Sequence, residues 1–212
     1  MKVAILIDGE WFRIALSERL GVALRPRGVT AEVIYKNALL AVQKGESVIR
    51  IFYYDSVPHV GRTRNPISKQ SVPCISPEKI NARHRFFYEL GQMPLIALRR
   101  GVVKPRGWVL KLSYVKDMLK GGKARPLTEK DVTLSMTQKG VDMRIGIDVA
   151  TLSLKKQVDR IILFSGDMDM IPAMKLARRE GVQVAMVQLD MRKISSELVE
   201  DADFVRTITP IP

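Results

Sequence analysis

Histidine and cysteine are scarce: the 212 residues hold two histidines, His59 and His84, and a single cysteine, Cys74. One cysteine closes no internal disulfide and no cysteine-rich zinc site. A resident metal is therefore expected to be a hard ion held by carboxylates. Apolar runs stay short. Val3 to Ile7 is among the longest, far below the roughly 20 residues that cross a bilayer. Met1-Lys2 leads straight into that run and then Asp8, which predicts no cleavable leader and a cytoplasmic location. An apolar share of 46% with 27% charged residues excludes disorder and fits one folded domain over residues 1–212.

Charge is present in excess and in one place. Lys and Arg number 35 against 22 Asp and Glu, a net +13. Residues 56–141 carry 17 of the former and 5 of the latter, net +12, leaving +1 for the rest of the chain. Aromatic residues interleave with these cations, as in Arg83-His84-Arg85-Phe86-Phe87-Tyr88 and Lys104-Pro105-Arg106-Gly107-Trp108. Cations neutralise phosphates and rings stack on bases, so single-stranded nucleic acid is the expected partner. The candidate contacts are Arg83, Arg85, Arg99, Arg100, Lys104, Arg106, Lys120, Lys123 and Arg125. The plainer reading is a solvated basic face. A membrane surface fits less well, since no basic amphipathic helix stands out.

Hydrophobic periodicity predicts strands at Val3–Ile7 and Val48–Tyr54, with a helix Ala31–Val42 capped by Thr30 between them. Prolines 58, 66, 73 and 77 predict an extended loop over 55–77. Beyond it the pattern predicts a helix near Pro77–Leu90 and strands Leu95–Val103 and Trp108–Leu112. A helix Asp142–Lys156, a strand Arg160–Ser165, a helix Met170–Glu180 and a strand Val182–Val187 follow. A short helix Ser195–Glu200 and a strand Phe204–Ile208 end the series. Alternating strands and helices imply an α/β fold with a mainly parallel central sheet and helices on both faces.

Two of these strands run into acids: Ile5-Leu-Ile7 into Asp8-Gly9-Glu10, and Ile161-Ile-Leu-Phe164 into Ser165-Gly166-Asp167-Met168-Asp169. Open parallel sheets bind ligands beyond the carboxyl ends of their strands, so neighbouring positions would bring Asp8 and Asp167 within reach of one ion. Asp142 and Asp148 lie about 600° apart on a helix and do not share a face. Asp142 is expected to cap the helix and Asp148 to point inward, or one of them to be structural. Each acid alone has the plain alternative of a turn or an N-cap. Gathered together they repel and call for a cation, for which Mg²⁺ or Mn²⁺ is the best fit.

The segments Ile7-Asp8-Gly9, Gln138-Lys-Gly-Val-Asp142-Met-Arg-Ile-Gly-Ile-Asp148, Leu163-Phe-Ser-Gly-Asp167-Met-Asp169-Met-Ile-Pro172 and Ala177-Arg-Arg-Glu-Gly181 resemble the NYN domains of the PIN-like nuclease superfamily, particularly the LabA-like group. The likeness extends to Ile51-Phe-Tyr-Tyr-Asp55 and spans nearly the whole chain. It implies a Rossmann-like PIN-type fold and a Mg²⁺- or Mn²⁺-dependent endoribonuclease acting on single-stranded RNA. It further implies an acidic centre of Asp8, Asp142, Asp148 and Asp167, with Asp169 as a further ligand and Ser165 orienting a carboxylate or a water. Many members carry Asn where this chain has Trp11. That departure leaves room for a rival reading, an RNA-binding regulatory module with weak or no activity. A carboxylate–Mg²⁺ enzyme acting on small phosphorylated substrates is the other rival, and it gives the basic segment no use. The oligomeric state stays open, a homo-oligomer included.

Overall fold

The computed structural model describes residues 1–21, 29–121, 125–190 and 192–212. Its first strand, β1 (Lys2–Asp8), has its central residues Val3 to Ile7 all buried, as an unbroken apolar run requires when both faces are covered. A helix α1 (Gly9–Leu20) follows at once, capped by Asp8 through the Trp11 N–H. Thr30 caps α2 (Ala31–Leu39), which stops short of Val42. After β2 (Ser47–Val57) the expected loop contains a small antiparallel hairpin, β3 (Arg62–Arg64) with β4 (Ser71–Pro73).

Then come α3 (Pro77–Gly91), β5 (Ile96–Leu110), α4 (Leu112–Leu119), β6 (Val132–Lys139) and α5 (Val141–Leu154). The chain ends through β7 (Arg160–Phe164), α6 (Ile171–Arg179), β8 (Gln183–Leu189), α7 (Ser196–Glu200) and β9 (Phe204–Ile208). The fold is α/β, with a seven-stranded sheet in the order β6-β5-β2-β1-β7-β8-β9, parallel throughout except for β6. One apolar core holds Ile5, Ile7, Phe12, Leu16, Ile34, Tyr53 and Phe164 on the face of α1, α2 and α3. The other holds Ala4, Leu6, Tyr54, Ile145, Val149 and Met174 beneath α5, α6 and α7.

Two expected short strands prove to be one. β5 runs unbroken through Pro105 and Gly107, with a bulge in its pairing to β6 between them. The proline is tolerated because β2 ends at Val57 opposite Val102, so beyond that point only β6 bonds to β5. Its far half and β6 form an arm that rises past the carboxyl edge of the sheet. β6 then returns to the edge, where Gly140, at φ 77°, turns the chain down into α5. A side chain there would strain the backbone.

At the opposite edge Glu46 is buried and accepts from Arg160 (2.5 Å) and from Arg206 (2.6 and 2.9 Å), joining the start of β2 to β7 and β9. Burial opposes its ionisation. Hydrogen bonds from Arg206, the Gln43 N–H and Arg160 overcome this and hold its pKa near 2, below the ordinary 4.5. Its contribution to stability is therefore complete above pH 4.5 and is lost only as pH falls toward about 2. Glu46→Ala strands two buried guanidinium groups and is expected to cost about 3–5 kcal/mol in urea unfolding at neutral pH.

Candidate active site

The strand order changes direction at β1, whose neighbours are β2, reached first by the chain, and β7, reached late. Crevices at such points are where open α/β sheets hold ligands. Ile7 pairs with Phe164, and Asp8 pairs with Tyr54, so β1 and β7 end together while β2 passes that level and runs on to Val57. Asp8 on β1, Asp55 on β2 and the Ser165-Gly166-Asp167 loop after β7 therefore meet at one edge. The reversed strand β6 brings the first turn of α5, and Asp142 with it, to the same edge.

The carboxylates feel one another. Asp8 is pushed up from 3.8 to about 6, chiefly by burial; the Trp11 N–H works against this, and the charges of Asp142, Glu10 and Asp55 add to it. Asp142 is raised by burial and then by Asp167 and Asp169. Asp142 thus stands between Asp8 on one side and Asp167 with Asp169 on the other. Among the described residues no three Asp, Glu, His or Cys side chains form a ready-made metal group. The donor set is nonetheless all oxygen and mutually repulsive, which suits a hard divalent ion that keeps several of its waters.

Asp148 is held by other partners. Its Oδ2 accepts from the Tyr54 hydroxyl and from Arg99 Nε, both at 2.8 Å, and the Arg99 guanidinium lies 4.9 Å from the Phe52 ring centre. It bolts α5 to β2 and β5. Ser165 is fully buried, and its hydroxyl accepts from the Asp167 N–H at 3.1 Å, so it shapes the acidic loop through the backbone. Asp167 in turn caps the single turn Met168–Met170 through the Asp169 N–H, and Asp169 is exposed.

Asp55, passed over as a site residue from sequence, is buried beside Asp8. Arg13 (3.1 Å) and Arg83 (3.0 Å) pair with its Oδ2, and the Tyr53 hydroxyl lies 3.3 Å away. The signal was there: an acid closing the apolar run Ile51–Tyr54, the same pattern as at Asp8 and Asp167. Asp55 was hidden because the strand continues to Val57.

The expected cations divide. Arg83, Arg99 and Arg125 are held by Asp55, Asp148 and Asp131, the last through two bonds of 2.6 Å. Arg85, Arg100, Lys104, Arg106 and Lys120 are exposed, Lys104 and Arg106 on the arm that β5 and β6 form beyond β2. Lys123 lies outside the described residues.

No functionally curated protein matches the chain. A crystal structure of a Vibrio parahaemolyticus protein of unknown function aligns with 98% of this chain and 92% of its own, at 16% identity and a TM-score of 0.49. Among the described residues no helix is long and apolar enough to cross a membrane. The family model of the NYN domain, whose members are generally nucleases, matches residues 2–209. The chain belongs to the NYN family, within the PIN-like nuclease superfamily.

Proposed function

We propose that the chain is a divalent-metal-dependent ribonuclease that hydrolyses phosphodiesters of single-stranded RNA. The observation that carries this reading is the repulsion that Asp8 feels from Asp142, and Asp142 from Asp167 and Asp169, at the switch point of a NYN fold. Asp8, Asp142 and Asp167 would hold Mg²⁺ or Mn²⁺, with Asp169 as a further ligand on the exposed side. The chemistry such an ion would supply there is polarisation of the phosphodiester and a lowered pKa for an attacking water. Asp148 is a positioning residue, holding α5 and hence Asp142 against the sheet. Arg100, Lys104 and Arg106 supply positive charge along the strand's approach, and Asp55 stays neutralised by Arg13 and Arg83. An RNA-binding module without turnover is the second reading, favoured by Trp11 in the place where many relatives have Asn.

Incubation with single-stranded RNA and Mn²⁺ is expected to give cleavage that Asp167→Asn lowers by a hundredfold or more, of the order seen when one transition-state contact is removed. Equal cleavage by both rejects the nuclease, and metal-independent RNA binding without cleavage favours the second reading.

The raised pKa of Asp8 means that the folded chain holds this proton more tightly than the unfolded one. Its contribution is intact below 3.8 and is lost as pH rises from there through about 6, by about 3 kcal/mol in all. Asn still caps α1. Asp8→Asn is therefore expected to raise Tm near neutral pH and to change it little at about pH 4, followed by circular dichroism. Mn²⁺ should raise the Tm of the native chain and not that of Asp8→Asn. Asp148→Asn should lose about 1 kcal/mol through the weakened Arg99 pair and still respond to Mn²⁺.

A further inference from the structure

Trp11 is the one aromatic ring in the first turn of α1 that stays half exposed, while its neighbour Phe12 is fully buried in the core. Its place is set from three sides. Asp8 Oδ1 accepts its backbone N–H at 3.2 Å. The indole edge rests against Gly166, where a Cβ would run into the ring nitrogen, so the residue between Ser165 and Asp167 has to be glycine. The Arg192 guanidinium stands 5.9 Å from the ring centre and is itself fixed by Glu18 at 2.6 Å. The ring thus lies between the end of β1 at Asp8 and the loop that carries Asp167.

Part of the ring packs against the core and stacks on Phe12, 6.4 Å between centres, and the rest stays open to solvent near the Arg192 guanidinium. The acids beside it repel the phosphates of a polynucleotide. An approaching strand needs an attractive contact at that point which carries no negative charge. Stacking of a base on an aromatic face is such a contact, and it requires a base freed from a duplex.

We propose that Trp11 and Arg192 form a nucleobase-stacking subsite at the lip of the acidic crevice, taking one unpaired base of the strand whose phosphate faces Asp8 and Asp167. This rests on the RNA reading above and adds to it a ligand group and a place. The subsite recognises a base by its π-face, so it favours single strands without selecting among bases.

The test uses the full chain with Asp167→Asn to prevent cleavage and Trp108→Phe to leave Trp11 as the only tryptophan. The two probes are an oligouridylate and an abasic ribose-phosphate chain of equal length. Both are expected to bind by fluorescence anisotropy, and only the oligouridylate should quench Trp11 emission, at the same concentrations that saturate binding. Without the Trp108 change, Trp11→Ala should weaken oligouridylate binding about tenfold and leave the abasic chain unaffected, and Trp11→Phe should recover part of the loss. Binding with no change in Trp11 emission, together with full affinity in Trp11→Ala, overturns the subsite and leaves the RNA reading standing. Failure of both probes to bind overturns the RNA reading and the subsite with it.

Discussion

Repulsion between carboxylates at one end of a parallel sheet is the constraint around which the rest of this fold is arranged. Asp8, the first acid, is level with Tyr54 of β2 and stands just past the end of β7, because the strands on either side of β1 pair with it. Left alone, that negative charge would destabilise the sheet edge. The structure limits the damage in two different ways. Asp55 is neutralised internally by two arginines, whereas Asp8 and Asp142 are left with elevated proton affinities. Keeping one acid satisfied and its neighbours unsatisfied reads as a division between scaffold and chemistry.

A single reversed strand makes the arrangement possible. Because β6 runs against β5, it delivers the start of α5 to the carboxyl edge. A helix entered from a parallel strand would also start at that edge. Here, however, the β5–β6 pair additionally extends beyond the end of β2, and the exposed cations Lys104 and Arg106 lie on that extension. The ion pair of Arg99 with Asp148 ties the same strand to the same helix. Arm, helix and sheet edge are therefore mechanically joined.

Much of this was legible in the residues. β1, β2, β7 and β8 announce themselves as apolar runs, and the placement of Asp8 and Asp167 on neighbouring strands follows from one assumption about sheet order. Other parts were obscured for identifiable reasons. α1 begins directly after Asp8, where Asp-Gly imitates a turn; the glycine is helical and abuts Tyr53. β6 alternates Val132, Leu134 and Met136 with polar residues, a strand signature overlooked amid the basic loop. Pro105 and Gly107 split β5 on paper, since nothing local reveals that one of its edges is free. Charge counting could not tell that Arg83, Arg99 and Arg125 are tied down, because their partners Asp55, Asp148 and Asp131 lie on other elements or at a distance along the chain.

The contact between the indole of Trp11 and the bare α-carbon of Gly166 couples two positions 155 residues apart. They behave as a single choice: a wide ring at one place forbids any side chain at the other. A relative with the smaller Asn at the equivalent of Trp11 is released from that veto and has room for a methyl or hydroxymethyl group opposite. Covariation of these two positions across the family would be the fossil trace of this steric bargain.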